Sequence, residues 1–168
     1  MKRILLIIVL ITAVIVAFSQ DEFTLAKKGE RAPDFTYDVS KTKTQKLSDL
    51  KGKIVLINFF ATWCGPCRKE LPVLEKDVYS KYKNREDFKL LIFGREHDWA
   101  TVDTFKTANK FSMPFYPDLE RKIFALYAGQ NIPRNFIIDK TGKIVYSSIG
   151  FAEEEFEELK TTLKDLLK

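Results

Sequence analysis

Lys53-Ile54-Val55-Leu56-Ile57-Asn58-Phe59-Phe60, followed by Ala61-Thr62-Trp63-Cys64-Gly65-Pro66-Cys67, decides how this chain folds. The first eight residues are almost continuously apolar and of strand length, the pattern of a strand buried on both faces. After the cysteines, Leu71, Leu74 and Val78 recur at offsets of 3 and 4, which predicts a helix. Phe88-Lys89-Leu90-Leu91-Ile92-Phe93 reads as a second buried strand, so strand, helix and strand imply a parallel pair. Cys64 falls at the helix start, where unpaired backbone N–H groups and the positive dipole end stabilise a thiolate. Cys67 lies one turn on, close enough to attack a mixed disulfide formed by Cys64. Pro66 suits a first helical turn because no hydrogen bond is lost there.

Two blander readings of the pair fail on chemistry. A zinc site needs four ligands, and the chain offers two cysteines and one histidine, His97. A purely structural disulfide over this spacing closes a tiny loop and constrains the unfolded chain little. No metal and no cofactor is therefore expected. His97, in Gly94-Arg95-Glu96-His97-Asp98-Trp99, follows a strand end where ligand-facing residues of open α/β sheets often lie. A lone histidine there is more commonly a loop residue, and no role is assigned to it.

Further out, Asp98 is placed to cap a helix carrying Val102, Phe105 and Ala108. Arg121 to Ala128 reads as another short helix. Phe136-Ile137-Ile138 and Ile144-Val145-Tyr146 flank Asp139-Lys140-Thr141-Gly142, a β-hairpin with glycine placed for a left-handed residue. The last helix carries Phe156, Leu159, Leu163, Leu166 and Leu167 on one face, with glutamates at its start and lysines at its end, matching the dipole. Ala32-Pro33-Asp34-Phe35 opens a short extended segment, and Lys41 to Gln45 is a polar turn. Asp21 to Arg31 is polar and patternless, a flexible lead-in.

The chain has 168 residues, 45% apolar and 30% charged, which suits one globular domain with a short appendage. Its formal charge of +5 is too mild to point to nucleic acid. Lys2 and Arg3 precede the apolar run Ile4 to Phe18, and Ala17-Phe18-Ser19 supplies the small residues of a cleavage site, so residues 1–19 read as an export signal. As a helix the run measures roughly 22 Å against a hydrocarbon core of about 30 Å, too short to span comfortably. An uncleaved membrane anchor is the alternative. The expected organisation is 1–19 signal or anchor, 20–28 flexible lead-in and 29–168 folded domain, in an exported, periplasmic or otherwise extracytoplasmic protein.

Trp63-Cys64-Gly65-Pro66-Cys67 after a buried strand resembles the active-site sequence of thioredoxins. Ala32-Pro33-Asp34-Phe35, Leu47-Ser48-Asp49-Leu50-Lys51-Gly52-Lys53 and Cys67-Arg68-Lys69-Glu70-Leu71-Pro72 are similar to the TlpA/ResA branch of exported thiol-disulfide oxidoreductases. The resemblance runs from about Gly29 to Lys168 and is weaker from Glu96 to Gln130. It implies an α/β thioredoxin fold, a central mixed β-sheet flanked by helices, with an added N-terminal β-hairpin. It also implies that Cys64 is the exposed nucleophile and Cys67 the buried resolving thiol. Ile132-Pro133 matches the family's cis-proline loop, which with Trp63 flanks the cysteines and presents backbone to substrate.

Glu70 matches an acidic residue kept by the ResA-like branch. Cys67 and Glu70 are three apart on a helix and share a face. A partly buried carboxylate there accepts the Cys67 proton and raises that thiol's pKa; a solvated one, in the run Arg68-Lys69-Glu70, does neither. Thioredoxin carries a buried aspartate six residues before its first cysteine, and this chain has Asn58, which takes no proton. The implied activity is reduction of protein disulfides, with a membrane electron donor to restore the dithiol, and contact with the membrane only through an uncleaved N-terminal segment. A thiol peroxidase of the AhpC/TSA kind shares the Ala-Pro-Asp-Phe opening, but Ile57 and Ala61 stand where its active site needs Pro and Thr or Ser. A redox-inert peptide-binding module is the other alternative, and the intact cysteine pair argues against it.

Overall fold

A computed structural model describes residues 22–168, so the signal or anchor expected at 1–19 lies outside the described residues. The first strands among the described residues form an antiparallel hairpin of β1 (Thr36–Ser40) and β2 (Lys43–Lys46). A mixed sheet of β3 (Ile54–Phe60), β4 (Phe88–Arg95), β5 (Phe115–Asp118), β6 (Arg134–Ile138) and β7 (Ile144–Ile149) follows, in the spatial order β5-β4-β3-β6-β7. The expected parallel pair is β3 with β4, and β6 runs antiparallel on the other side of β3. Helix α1 (Gly65–Leu74) continues through a π turn at Glu75–Tyr79 into Ser80–Tyr82. Among the described residues the remaining α-helices are α2 (Trp99–Ala108), α3 (Phe124–Tyr127) and α4 (Glu153–Leu166). This is the thioredoxin arrangement with the added hairpin.

Every residue of β3 is buried, because the strand is central and covered on both faces. The strand period of two splits it cleanly. Ile54, Leu56 and Phe60 face one core with Leu71 and Leu74 of α1 and Leu159 and Leu163 of α4. Val55, Ile57 and Phe59 face the other, with Phe93, Phe124, Tyr127 and Phe136. Asn58 falls in the first series, so a polar side chain is aimed at α1 from the middle of the sheet. The hairpin is fastened by Tyr37, whose ring meets Phe93 at 5.6 Å and Tyr116 at 5.1 Å, both edge-on.

Three expectations are revised, and one strand was not expected at all. Residues 22–31 are not a free lead-in: Thr24 bridges Ala128, Arg31 bridges Lys143, and Ala26 is buried in the second core. The polar turn contracts to Lys41 and Thr42, since Lys43 to Lys46 pair with β1 while their side chains stay largely in water. The helix expected from Arg121 begins only at Phe124. Arg121 has a left-handed φ of 59°, and the Asp118 carboxylate accepts the N–H groups of Ile123 at 3.0 Å and Phe124 at 2.8 Å. Strand β5 had no sequence signal, because Pro117 interrupts it, and proline is tolerated only on such an edge.

Candidate active site

Both cysteines are set by the junction of β3 and α1. The Cys64 N–H donates to the Ala61 carbonyl at 3.1 Å, and the Thr62 N–H donates to Nε2 of His97 at 2.9 Å. His97 is buried and braces the turn that leads into the cysteines. Cys64 is the N-cap of α1, and its Sγ accepts the Cys67 N–H at 3.2 Å. The sulfur thus sits on one of the donors a helix start leaves unpaired. Cys64 and Cys67 are joined in a disulfide with an S–S distance of 2.08 Å.

Cys67 is fully buried. Cys64, expected to be exposed, keeps only 5% of its surface in this oxidised state. The cause is the loop before β6: Ile132-Pro133 is cis, as expected, and the Ile132 carbonyl oxygen lies 3.7 Å from Cys64 Sγ. What remains accessible of Cys64 opens into a cleft of about 600 Å³, shared with Trp63, Arg95, Arg121, Gln130 and Ile132. Trp63 is 65% exposed and forms one rim. Pro133 is buried, and Ile132 supplies the wall beside the sulfur.

Behind the disulfide lies a polar cluster sealed from solvent. Glu70, on the buried face of α1 with Cys67, is 1% exposed. Its Oε2 accepts from Nδ2 of Asn58 at 2.9 Å, and its Oε1 from Nδ2 of Asn135 at 2.6 Å. Asn58 also donates to Oδ1 of Asn135 at 2.9 Å, and Asn135 reaches Oγ of Ser148 at 3.4 Å. Burial pushes the Glu70 carboxyl up to about 7, outweighing the two amide hydrogen bonds that favour its charged form; Glu155 adds a small push upward. Glu70 is therefore not a solvated residue, and it changes charge near neutral pH. Among the described residues no group of His, Cys, Asp and Glu is arranged to hold a metal ion.

The family description Redoxin matches residues 27–164, which spans the sheet, the cysteine pair and the cis-proline loop. The chain belongs to the Redoxin family. Within it the chain is 35% identical to the thiol-disulfide oxidoreductase ResA of Bacillus anthracis over 167 residues, covering 98% of this chain and 94% of that protein. With ResA of Bacillus subtilis it shares 31% identity over 127 residues, 76% of this chain and 70% of the relative. A solution structure from Bacteroides thetaiotaomicron, provisionally named a protein disulfide isomerase, superposes with a TM-score of 0.82 at 39% identity, covering 86% of this chain and 92% of that one. This redoxin is a thiol-disulfide oxidoreductase, whose chemistry is exchange between a dithiol and a disulfide.

Several residues that shape this redoxin's site escaped the sequence reading. Asn135 and Ser148 complete the Glu70 cluster. The signal for Asn135 was there, an amide next to the apolar Phe136-Ile137-Ile138 of a buried strand. Arg134, fully buried, donates through Nε to the carbonyls of Gln130 at 2.8 Å and Asn131 at 3.2 Å, and through an Nη to Thr24 at 2.7 Å. It holds the cleft loop and the N-terminal segment together. Arg95 and Arg121 come from the stretch with the weakest motif content and reach the cleft only through tertiary folding.

Proposed function

We propose that this oxidoreductase reduces protein disulfides outside the cytoplasm, with Cys64 as attacking thiol and Cys67 as resolving thiol. The observation that carries the assignment is the asymmetry of the pair. Cys64 alone borders the open cleft and accepts a helix N-terminal N–H, whereas Cys67 is sealed behind it against Glu70's face of α1. The Cys64 thiolate attacks one sulfur of a substrate disulfide, forming a mixed disulfide and expelling the other sulfur as thiolate. Cys67 then loses its proton to the Glu70 carboxylate and attacks Cys64 Sγ. The second substrate sulfur leaves with its electron pair, and the Cys64–Cys67 bond, the state seen here, closes. Two electrons pass to the substrate, and a membrane electron donor returns them.

Reduction rather than oxidation is supported by the local charges. Gly65 and Pro66 give the Cys64 thiolate no cation, and a Glu70 carboxylate opposes further negative charge beside Cys67. Arg95 and Arg121, in the same cleft, pull the other way, with Glu96, at 3.5 Å and 4.0 Å, offsetting one of their two charges. The N-terminal segment supports export, by cleavage near Ser19 or as an anchor. The roles are tested by single-cysteine variants. Cys67→Ser is expected to accumulate a mixed disulfide with substrate, and Cys64→Ser to abolish reduction. In alkylation against pH, Cys64 is expected to titrate below the free-thiol value of about 8.5 and Cys67 above it. Equal profiles would reject the assignment.

A further inference from the structure

The cleft in front of Cys64 has a charge character that thiol exchange alone does not require. Arg95 and Arg121 line it, and among the described residues no aspartate or glutamate does. Both guanidinium groups pack on the ring of Phe124, at 5.2 Å and 5.1 Å, and Arg95 also lies 5.8 Å from the Trp63 ring. Two like charges are thereby held against one ring, and among the described residues a single carboxylate, Glu96, pairs with both. One positive charge is left over at the cleft. The Nε–H of Arg95 and the Nε–H of Arg121 are also buried without an acceptor among the described residues. Both Nε–H groups are closed off from the cleft, so an anion there meets the outer Nη groups of the two arginines. Arg121 is further tied to the cleft wall by a hydrogen bond to the Gly129 carbonyl, so it is held where a ligand meets it.

The carboxylate is the anion that fits a planar guanidinium fork. We infer that the cleft is a carboxylate-recognition subsite, and that the preferred substrate is a polypeptide with an Asp or Glu side chain close to the attacked cysteine. Cys64 and the two arginines share one cleft of about 600 Å³. Extended chain advances about 3.3 Å per residue, so the acidic side chain sits within about two residues of that cysteine. This inference rests on the proposed attack by Cys64 and names the substrate class of that site.

The test uses two acetylated, amidated peptides with one internal disulfide, identical except for Glu or Gln flanking the cysteine. Serine analogues of both are titrated into the oxidised protein by calorimetry, which reads recognition apart from turnover. The Glu peptide is expected to bind about tenfold tighter at low salt, and the ratio to shrink as salt is raised. In Arg121→Gln, and in Arg95→Gln separately, the ratio is expected to fall below about threefold, and the ratio of kcat/KM for reduction to follow it. Equal binding of the two peptides to the wild-type protein overturns the inference, as does a ratio that neither variant nor salt moves. Preference in binding without reduction of either peptide would instead reject the reductant reading and leave the subsite standing.

Discussion

The two sides of the Cys64–Cys67 bond are built on opposite physical terms. Behind it, Asn58, Glu70, Asn135 and Ser148 form a closed cluster from which water is excluded, joined by amide donors to one carboxyl group. In front of it, the exposed Trp63 and the partly buried Arg95 and Arg121 border an open cleft that solvent enters. The closed side suits holding or passing a single proton, because burial brings the Glu70 pKa to about 7. The open side suits meeting a large partner. Neighbouring residues of β6 serve the two regions: Asn135 points toward α1 and Glu70, while Arg134 braces the loop of the cleft. Strand alternation makes that division possible.

Breaking the brace is expected to have the largest effect. Arg134→Ala leaves the carbonyls of Gln130 and Asn131 without their donor and opens a cavity beside the loop. A loss of about 3 kcal/mol or more is expected from urea unfolding of the oxidised protein. A loss below about 1 kcal/mol would mean that the cleft loop holds itself.

Glu70→Gln sharpens the closed side. In the unfolded chain Glu70 loses its proton near 4.5, whereas in the fold it keeps it to about 7. Between those values the folded state binds more protons, so this residue's contribution is intact below pH 4.5 and declines as pH rises through 7. The glutamine variant is expected to lack that decline and to exceed the wild type by up to roughly 3 kcal/mol above pH 8, with the two alike at pH 4. Resolution of the mixed disulfide is expected to slow in the same variant. Parallel pH profiles of stability would show that Glu70 does not titrate between the two values.

How much of this was legible in the sequence follows from where each signal lies. The strand, cysteine pair and helix were readable because local pattern and spacing carry them, and Gly142 marked its turn by its position, with φ of 89°. The cis-proline loop was readable only through family resemblance, since nothing in Ile132-Pro133 alone distinguishes the isomer. Glu70 was half readable: helix geometry placed it beside Cys67, but its burial depends on β3, β6 and β7 closing over it. Strand β5 was hidden by Pro117, and the late start of α3 by the acceptor role of Asp118, which no local pattern announces. Arg95 and Arg121 lie 26 residues apart in sequence and meet at Phe124 only in the fold.

The equilibrium of the Cys64–Cys67 pair against glutathione tests the central claim most directly, because the closed side disfavours extra negative charge and the open side favours it. If the closed side dominates, the pair is a reductant, with a potential nearer the thioredoxin value of about −270 mV than the oxidant value of about −120 mV. A potential above about −180 mV would contradict this, placing the arginine-lined cleft in control and making the protein an oxidant or isomerase.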